Sequence, residues 1–394
     1  MIKSRHTVRR LLLFTTAIAI VMSVCFLLSE LLVRAVMGSD YFYPYFPNSK
    51  SYNYPSEAIT PGVSGVSQFT TNSFGARGGE LSTKAKIRIL TIGGSTTACT
   101  ILDDSETWPA VLEHLLDQRM GSSGLAWVAN SGIDGLLSHH HLMHAKYYLP
   151  RLPRIDYVII YAGANDMGFW FHHKEYDPDY LNRNWSSRVG ESFRWSDFTP
   201  DGSPFFKRLA LWKLASRLKD MYISRRTIGS GNRGYVQDAQ LTWLEQARKE
   251  RNKRVASLLP EGKLTKLPLA LDGYEMVLRR IAQEVRKNGS EPIFMTQAVQ
   301  SLFVTENEKS RLWMGILDNG EGYVSEEQYP AILHQYNLRM KKIAREENAF
   351  VVDLAAILDP SSSLFYDGMH FNERGAAETG KIVADFFLEK GLIR

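Results

Sequence analysis

The sequence predicts an α/β fold in which helices cover both faces of a central parallel sheet. Short apolar runs of strand length alternate with longer amphipathic stretches, and polar residues follow directly after several of the apolar runs. The candidate strands are IRILTIG, LAWVANSG, DYVIIYAG, EPIFMTQ and AFVVDLA, and the helical stretches are Trp108–Arg119, Tyr274–Lys287, Gln328–Glu347 and Arg374–Lys390. Because the chemistry of such sheets gathers at the carboxyl ends of the strands, the residues just past these ends are the candidates for a site.

The composition is that of a globular protein and does not predict a nucleic-acid partner. The 394 residues are 44% hydrophobic and 23% charged, with a formal net charge of +5. Four of the positive charges lie at the N-terminus, at Lys3, Arg5, Arg9 and Arg10. The rest of the chain is therefore close to neutral. With two cysteines, of which Cys25 lies in an apolar run and Cys99 is expected to be a small buried residue, the fold is not built on disulfides.

The N-terminal segment predicts a single membrane-spanning helix. A basic flank precedes an apolar run from Leu11 to Leu28, and at about 1.5 Å per residue a helix continuing to Val36 is long enough to cross a bilayer. Glu30 and Arg34 have the i, i+4 spacing that allows them to pair or to reach the interface. We expect an uncleaved signal anchor in the cytoplasmic (inner) membrane, with the N-terminus inside and the rest extracytoplasmic or periplasmic. The alternative is a cleaved signal peptide, although no A-x-A site follows.

The remainder divides into a tether and one large domain. Residues 1–37 form the flank and the anchor, and residues 86–394 form the domain. Residues 38–85 are rich in Tyr, Pro, Ser and Asn and suggest an extended tether that is able to pack on the surface of the domain. A stretch at about 169–268 interrupts the strand–helix alternation and predicts a mostly helical insertion. This insertion is either a lid over a site or a packing appendage.

Four short blocks past strand ends carry residues suited to acyl transfer. Ser95 lies on the glycine turn GGST, and the DGMH block places Asp367 three residues before His370, a spacing that allows the acid to hold the imidazole toward a serine. The GAND block offers the amide of Asn165, and the NSGIDG block offers the backbone N–H of Gly135, as donors to an oxyanion. Together the blocks predict a nucleophile, a base, an orienting acid and an oxyanion hole.

Taken alone, the GGST turn also fits other roles. A serine in this position is a common helix N-cap. A phosphate-binding turn is excluded, because neither G-x-G-x-x-G nor G-K-[ST] is present. The other three blocks are what favour a nucleophile at Ser95.

In their order and residues, the four blocks resemble those of the SGNH hydrolase superfamily, the GDSL-type esterases and lipases. The resemblance covers about Lys86 to the C-terminus apart from the insertion, and TNSFGARGGE before the first strand is similar to membrane-anchored bacterial members. It implies a three-layer α/β/α, flavodoxin-like fold. It also implies that Ser95 is the nucleophile, His370 the general base and Asp367 its orienting acid, with Ser95, Gly135 and Asn165 forming the oxyanion hole. The resemblance requires no metal or other cofactor.

The sequence departs from the family pattern before the nucleophile. The usual aspartate is Gly94 here. In the family that aspartate is generally outside the triad, so the departure leaves the triad intact but makes the branch of the family, and hence the substrate, harder to assign.

Two further sets of residues invite functional hypotheses. The histidines His139, His140, His141 and His144, with a second group at His172, His173 and Glu175, have partial metal-ligand spacing. We expect them instead to face solvent or the rim of the site, with His139 close enough to Gly135 to touch substrate. Tryptophans of the insertion region could stack on sugar rings or serve only in packing: Trp170, Trp185, Trp195 and Trp243.

The resulting functional hypothesis is a membrane-anchored serine esterase that acts on O-acyl groups of a cell-envelope or extracellular glycan. The alternatives are an O-acyltransferase of polysaccharide modification with the same triad, a lipid esterase, and a non-catalytic binding module.

Overall fold

The computed structural model describes residues 2–37, 41–173, 185–229, 235–253, 258–320 and 322–393. The strands are β1 Phe42–Tyr43, β2 Lys50–Asn53, β3 Ser67–Thr70, β4 Ile87–Gly93, β5 Ala126–Asn130, β6 Tyr157–Tyr161, β7 Trp195–Ser196, β8 Glu291–Met295, β9 Ile316–Leu317, β10 Gly322–Tyr323 and β11 Phe350–Val352. The α-helices are α1 Ile2–Met37, α2 Ser95–Ala98, α3 Trp108–Met120, α4 Ser138–Met143, α5 Ala164–His172, α6 Trp185–Glu191, α7 Ala210–Gly229, α8 Tyr235–Asn252, α9 Glu261–Leu264, α10 Leu267–Lys287, α11 Glu306–Ser310, α12 Gln328–Glu346, α13 Leu354–Ile357 and α14 Glu373–Glu389.

The central sheet contains the five predicted strands and is parallel throughout. Its order is β11-β8-β6-β4-β5, which is the flavodoxin-like order because the first strand of the sheet, β4, lies between the second and the third. The chain therefore leaves β4 toward one side and returns to pair on its other side. This change of direction opens a crevice between the carboxyl ends of β4 and β6, where ligands bind in sheets of this order.

Helices cover both faces of the sheet, as predicted. Side chains alternate along β4, so that Leu90 and Ile92 pack in the core under α10 and α12, whereas Ile87 and Ile89 pack in the core under α3 and α14. All four side chains are buried, and burying one such side chain contributes about 1.5–3 kcal/mol to folding. The α/β/α layers confirm the predicted fold class.

The segment at 38–85, predicted as a tether, is packed against the domain where it is described. Val63 and Ala76 are fully buried. The buried guanidinium of Arg77 donates to the carbonyl oxygens of Ala98 and Cys99 at 2.8 and 2.7 Å. The segment therefore supports the end of the short helix that begins at the GGST turn.

The N-terminal helix α1 contains a stretch, Arg9–Met37, that is long and apolar enough to cross a membrane. Its large apolar side chains from Leu11 to Leu32 are mostly exposed in the structure. The i, i+4 pair of Glu30 and Arg34 forms at 2.8 Å. Glu30 also accepts hydrogen bonds from the first N–H groups of α7, so the insertion region is attached to the C-terminal part of this helix.

Candidate active site

The three predicted triad residues form one chain of hydrogen bonds. Ser95 is the first residue of α2, directly after β4, and its hydroxyl donates to Nε2 of His370 at 2.7 Å. Nδ1 of the same imidazole donates to Oδ2 of Asp367 at 2.8 Å. The structure thus joins residues 275 positions apart in the geometry of nucleophile, base and orienting acid.

The turn that carries the acid and the imidazole is closed by the acid itself. Oδ1 of Asp367 accepts the backbone N–H groups of Met369 and His370, both at 2.8 Å. Oδ2 accepts the indole N–H of Trp313 at 2.8 Å in addition to the imidazole. Burial disfavours the carboxylate, but the charge of His370 and these hydrogen bonds outweigh it and lower the pKa of Asp367 to about 2. The side chain of Asp367 is therefore an ionised carboxylate at neutral pH.

The imidazole of His370 lies between two aromatic rings. The rings of Tyr366 and Trp313 are nearly parallel to it, with centroids 5.5 and 6.1 Å away. Burial opposes the imidazolium, but the charge and hydrogen bond of Asp367 outweigh burial, and the charge of Asp134 adds to them. The pKa of His370 therefore lies above its ordinary value, because its surroundings favour the imidazolium form.

The three predicted oxyanion donors lie around the cavity into which Ser95 opens. The N–H of Ser95 belongs to the first turn of a helix and has no acceptor within that helix. Gly135 has φ +78°, a conformation that favours glycine. Nδ2 of Asn165, near the start of α5, donates to the carbonyl of Leu136 at 2.9 Å, which fixes the amide and leaves its second N–H for a ligand.

The structure gives a reason for glycine at position 94. A Cβ on Gly94 would lie 2.5 Å from Nδ2 of Asn165, closer than real Cβ atoms approach other atoms. A side chain at this position would therefore displace the amide of Asn165. The family usually has an aspartate at this position, whereas in this chain the amide of Asn165 packs against the backbone of Gly94.

The cavity above the triad measures about 380 Å³. Its lining surface is mainly apolar, and one of its polar residues, Asp134, is next to Gly135 in the chain. Its lining includes Ile101, Leu241, Trp243, Leu244, Trp313 and Tyr366 together with Thr60, Thr100 and Asp134. Thr100 donates its hydroxyl to Oδ1 of Asp134 at 2.8 Å, which holds this carboxylate at the cavity wall.

Helix α8 of the insertion covers the cavity and is fixed by buried arginines. The guanidinium of Arg248 donates to the carbonyl oxygens of Ile59, Arg311 and Tyr366 at 2.6–3.1 Å. One turn later, Arg251 donates to the carbonyl of Met314 at 3.3 Å. The same helix therefore contributes Trp243 to the cavity and holds in place the loops that carry Trp313 and Tyr366.

Sequence reasoning missed several residues of this site. Asp134 directly precedes the predicted residue Gly135, and Tyr366 directly precedes the predicted residue Asp367. The sequence therefore indicated that both lie close to the site. Trp313 and Arg248 had no such signal, because they lie outside every block and reach the site through the fold. The insertion, for which a lid and an appendage were both open, lines the cavity through α8.

The expectation that the histidines face solvent or the rim is wrong for the group at 139–144, whereas His172 of the second group is exposed as expected. His139, His140, His141 and His144 are all buried, because α4 lies under α6 and α10 against the sheet. Burial lowers the pKa of each of these imidazoles, so they are neutral at neutral pH. Glu175 lies outside the described residues. Within the residues that the structure describes, no His, Cys, Asp and Glu side chains group as metal ligands would.

Of the four tryptophans considered as sugar platforms, Trp243 lines the cavity. It is half exposed, and its ring meets that of Trp313 edge-on with centroids 4.8 Å apart. Trp170 is fully buried in α5, and Trp195 packs among Tyr41, Tyr43 and Phe46. Trp185 lies beside Tyr147 and Lys146, away from the cavity. These three serve in packing.

The chain was compared with known proteins. Residues 91–378 match the sequence profile of the GDSL-like lipase/acylhydrolase family, a range that contains all five predicted site residues. No curated protein matches the chain. Among solved structures, it is similar to Axe2, an acetylxylan esterase from Geobacillus stearothermophilus, at 16% identity and a TM-score of 0.36, covering 77% of this chain and 94% of that one.

Two further solved structures are similar to a comparable degree. LAE5, an alpha/beta hydrolase enzyme from the metagenome of Lake Arreo, Spain, is 13% identical with a TM-score of 0.39, covering 79% of this chain and 97% of that one. TesA is 14% identical with a TM-score of 0.39, covering 76% and 97%. Likeness at this level carries no argument about substrate. The family match does carry an assignment: the chain belongs to the GDSL-like lipase/acylhydrolase family, within the SGNH hydrolase superfamily, and is a hydrolase that acts on ester bonds.

Proposed function

We propose that Ser95, His370 and Asp367 hydrolyse an ester through an acyl-enzyme. The observation that carries the proposal is the hydrogen-bonded chain from the Ser95 hydroxyl through the imidazole to Asp367, which opens into the cavity. His370 takes the hydroxyl proton as Ser95 attacks the ester carbonyl, and then gives that proton to the departing alkoxide. Water, deprotonated by the same imidazole, attacks the acyl-enzyme, and Ser95 recovers its proton as the acid leaves.

The negative charge of each tetrahedral intermediate falls on the carbonyl oxygen. In the proposed mechanism this oxygen accepts hydrogen bonds from the backbone N–H of Ser95, the backbone N–H of Gly135 and the side-chain amide of Asn165. Donors already in place before the reaction need no reorganisation as the charge develops, and one such donor is typically worth about 10²–10³ in kcat. The hydrogen bond from Asn165 to Leu136 supports this role because it orients the amide in the free enzyme.

For the substrate we propose O-acyl groups on a glycan. Trp243 is half exposed at the cavity, and its indole offers a flat apolar face on which a sugar ring can stack. Asp134 and Thr100 lie in the same cavity beside Gly135, where a carboxylate and a hydroxyl can bind sugar hydroxyl groups. A combination of aromatic faces and hydrogen-bonding groups suits an acylated sugar.

A lipid ester is the second candidate, favoured by the aliphatic residues of the cavity lining. Ile101, Leu241 and Leu244 add aliphatic surface to the cavity lining, which suits an acyl chain. Transfer of the acyl group to a glycan hydroxyl instead of water would use the same triad. The experiments below therefore distinguish three outcomes.

For the chain as a whole we propose a single-pass protein of the cytoplasmic membrane, with its N-terminus inside and its catalytic domain outside. The length and composition of Arg9–Met37 and the basic residues that precede it support this topology. Residues 1–37 would be the flank and anchor, residues 38–85 the connection, and residues 86–394 the catalytic domain with the insertion at about 169–268.

Labelling with a fluorophosphonate probe tests the nucleophile. The wild-type protein should form a covalent adduct, and Ser95→Ala should not. Cys99→Ala is the matched control, because Cys99 is buried and burial raises the pKa of its thiol to about 12, which makes it a poor nucleophile. Unchanged labelling of Ser95→Ala would contradict the proposed mechanism, and absence of labelling in the wild type would favour a non-catalytic module.

A substrate panel tests the rest of the proposal. The purified protein is given acetylated oligosaccharides, p-nitrophenyl esters of increasing chain length, and acetyl donors with and without a glycan acceptor. Faster release of acetate from the oligosaccharides than of acid from the p-nitrophenyl esters supports the glycan proposal. A preference for long acyl chains among the p-nitrophenyl esters supports the lipid alternative. Acetyl groups appearing on the acceptor in place of free acetate would identify a transferase.

A further inference from the structure

A group of exposed aromatic and basic side chains lies next to the N-terminal helix. It consists of Phe205, Phe206, Lys207 and Arg208, which form a 3₁₀ turn before α7, and Trp212 in the first turns of α7. We call this group the interfacial patch. Phe205 is 78% exposed, Trp212 45% and Phe206 38%, although large aromatic side chains are usually buried. The rings contact one another, with Phe206 centred 6.2 Å from Phe205 and 5.0 Å from Trp212.

The patch is held at a defined level of α1. The carboxylate of Glu30 is buried and accepts the N–H groups of Ala210 and Leu211 at 2.7 and 3.0 Å, so it caps the start of α7. Arg34, which pairs with Glu30, also donates to the carbonyl of Arg208 at 3.5 Å. The patch therefore lies beside residues 30–34 of α1.

That level is where the uncharged part of the apolar segment ends. The run from Leu11 to Leu28 is about 27 Å long as a helix, close to the thickness of about 30 Å of a bilayer core. Glu30 is the first charged residue after this run, and about 30 Å of helix separates it from Leu11, so a bilayer core that begins at Leu11 would end near Glu30. Helix α7 continues outward from there, because Arg217 reaches the ring of Tyr41 and the carboxylate of Asp197, which lie beyond the end of α1.

We propose that the interfacial patch contacts the outer surface of the bilayer. Phe205, Phe206 and Trp212 would lie at the level of the headgroups, where aromatic side chains are favoured, and Lys207 and Arg208 would contact lipid phosphates. The domain then has a second attachment beside its spanning helix, which restricts how the active site is oriented above the membrane. This inference depends on the spanning role of α1 in the proposed function.

Photo-crosslinking in full-length protein tests the patch. p-Benzoylphenylalanine replaces Phe205, or as a matched control Tyr222, which is 63% exposed on the same helix but farther from the membrane. Each variant is placed in nanodiscs of phosphatidylcholine and phosphatidylglycerol and irradiated, and lipid adducts are measured by mass spectrometry. We expect about fivefold or more lipid adduct at position 205 than at position 222.

Equal yields at the two positions, or adducts of position 205 with protein, would overturn the patch proposal. Carbonate extraction of membranes that contain the same variants tests the anchor separately. Protein that resists extraction but shows no lipid adduct at position 205 supports the membrane anchor and contradicts the patch proposal. Protein that is extracted by carbonate contradicts the spanning role of α1, whatever the labelling.

Discussion

The two sides of the active-site cavity are built in different ways. On one side, which we call the catalytic edge, Ser95 and Asn165 lie two and four residues beyond the last residues of β4 and β6, and Gly135 lies in the loop after β5. The opposite side, the covering wall, is formed by Trp243 of α8 and by Trp313, and neither belongs to the sheet. The catalytic edge is fixed by backbone geometry over a few residues. The covering wall is held by long side chains that reach distant carbonyl groups.

This difference suggests that one side serves the chemical step and the other side serves the choice of substrate. Groups that must be placed to within a fraction of an ångström lie where the backbone is most rigid, at the ends of buried strands. The covering wall presents large surfaces to whatever is bound, and it contacts the triad through Trp313, which donates a hydrogen bond to Asp367 and stacks beside the imidazole of His370. Changes on the catalytic edge should therefore lower kcat, and changes in the covering wall should raise KM.

The largest effect is expected from His370→Ala. Without the imidazole, no group accepts the proton of Ser95, so kcat should fall by about 10⁴-fold or more while KM for a small ester changes little. Steady-state kinetics on p-nitrophenyl acetate measures this, and circular dichroism checks that the variant is folded. Retention of more than a tenth of the wild-type kcat would show that another residue is the base.

Gly94→Ala should have the next largest effect. The added methyl group would lie 2.5 Å from Nδ2 of Asn165 and so displaces the amide from the oxyanion, which should lower kcat by about 10²-fold. Asn165→Ala is the matched variant, because it removes the same amide without crowding the turn. The two losses should be alike, and the double variant should be little worse than either. Full additivity in the double variant would mean that Gly94 acts through something other than Asn165.

The same difference explains what the sequence could predict. The five strands and the helices Trp108–Met120 and Gln328–Glu346 were recognisable because their apolar periodicity is local, and the site residues were recognisable because each belongs to a short block. The DGMH block was expected just past a strand end, but it begins 15 residues beyond the end of β11. The covering wall was not, since Arg248 reaches the carbonyl of Ile59 across 189 positions and no local pattern encodes such a contact. The buried histidines were missed for the same reason, because whether a polar helix face is covered depends on its neighbours in space.

Trp243→Ala should have a moderate effect of the opposite kind. Losing the exposed indole removes a stacking surface worth about 1 kcal/mol, so KM for an acetylated oligosaccharide should rise about fivefold while kcat/KM for p-nitrophenyl acetate is unchanged. Tyr222→Ala, an exposed aromatic outside the cavity lining, is the control and should leave both values as they are. An equal loss on both substrates would place Trp243 in the support of the triad and remove the distinction between the two sides.

Asp134→Asn should produce the smallest effect, and its sign follows from charge. Asp134 lies in the catalytic edge beside Gly135, and its negative charge is among the causes that raise the pKa of His370. The base must be neutral to accept the proton of Ser95, so activity is lost as the pH falls through the pKa of His370 in the free enzyme. The isosteric amide removes the charge and keeps an oxygen that can accept the hydrogen bond from Thr100, so the acidic limb of kcat/KM should move to lower pH by a few tenths of a unit.

At a pH below the midpoint, the variant should then be more active relative to its own maximum than the wild-type enzyme. A shift of the limb to higher pH would contradict this electrostatic role, and a loss of activity at every pH with no shift would mean that Asp134 binds substrate without tuning the base.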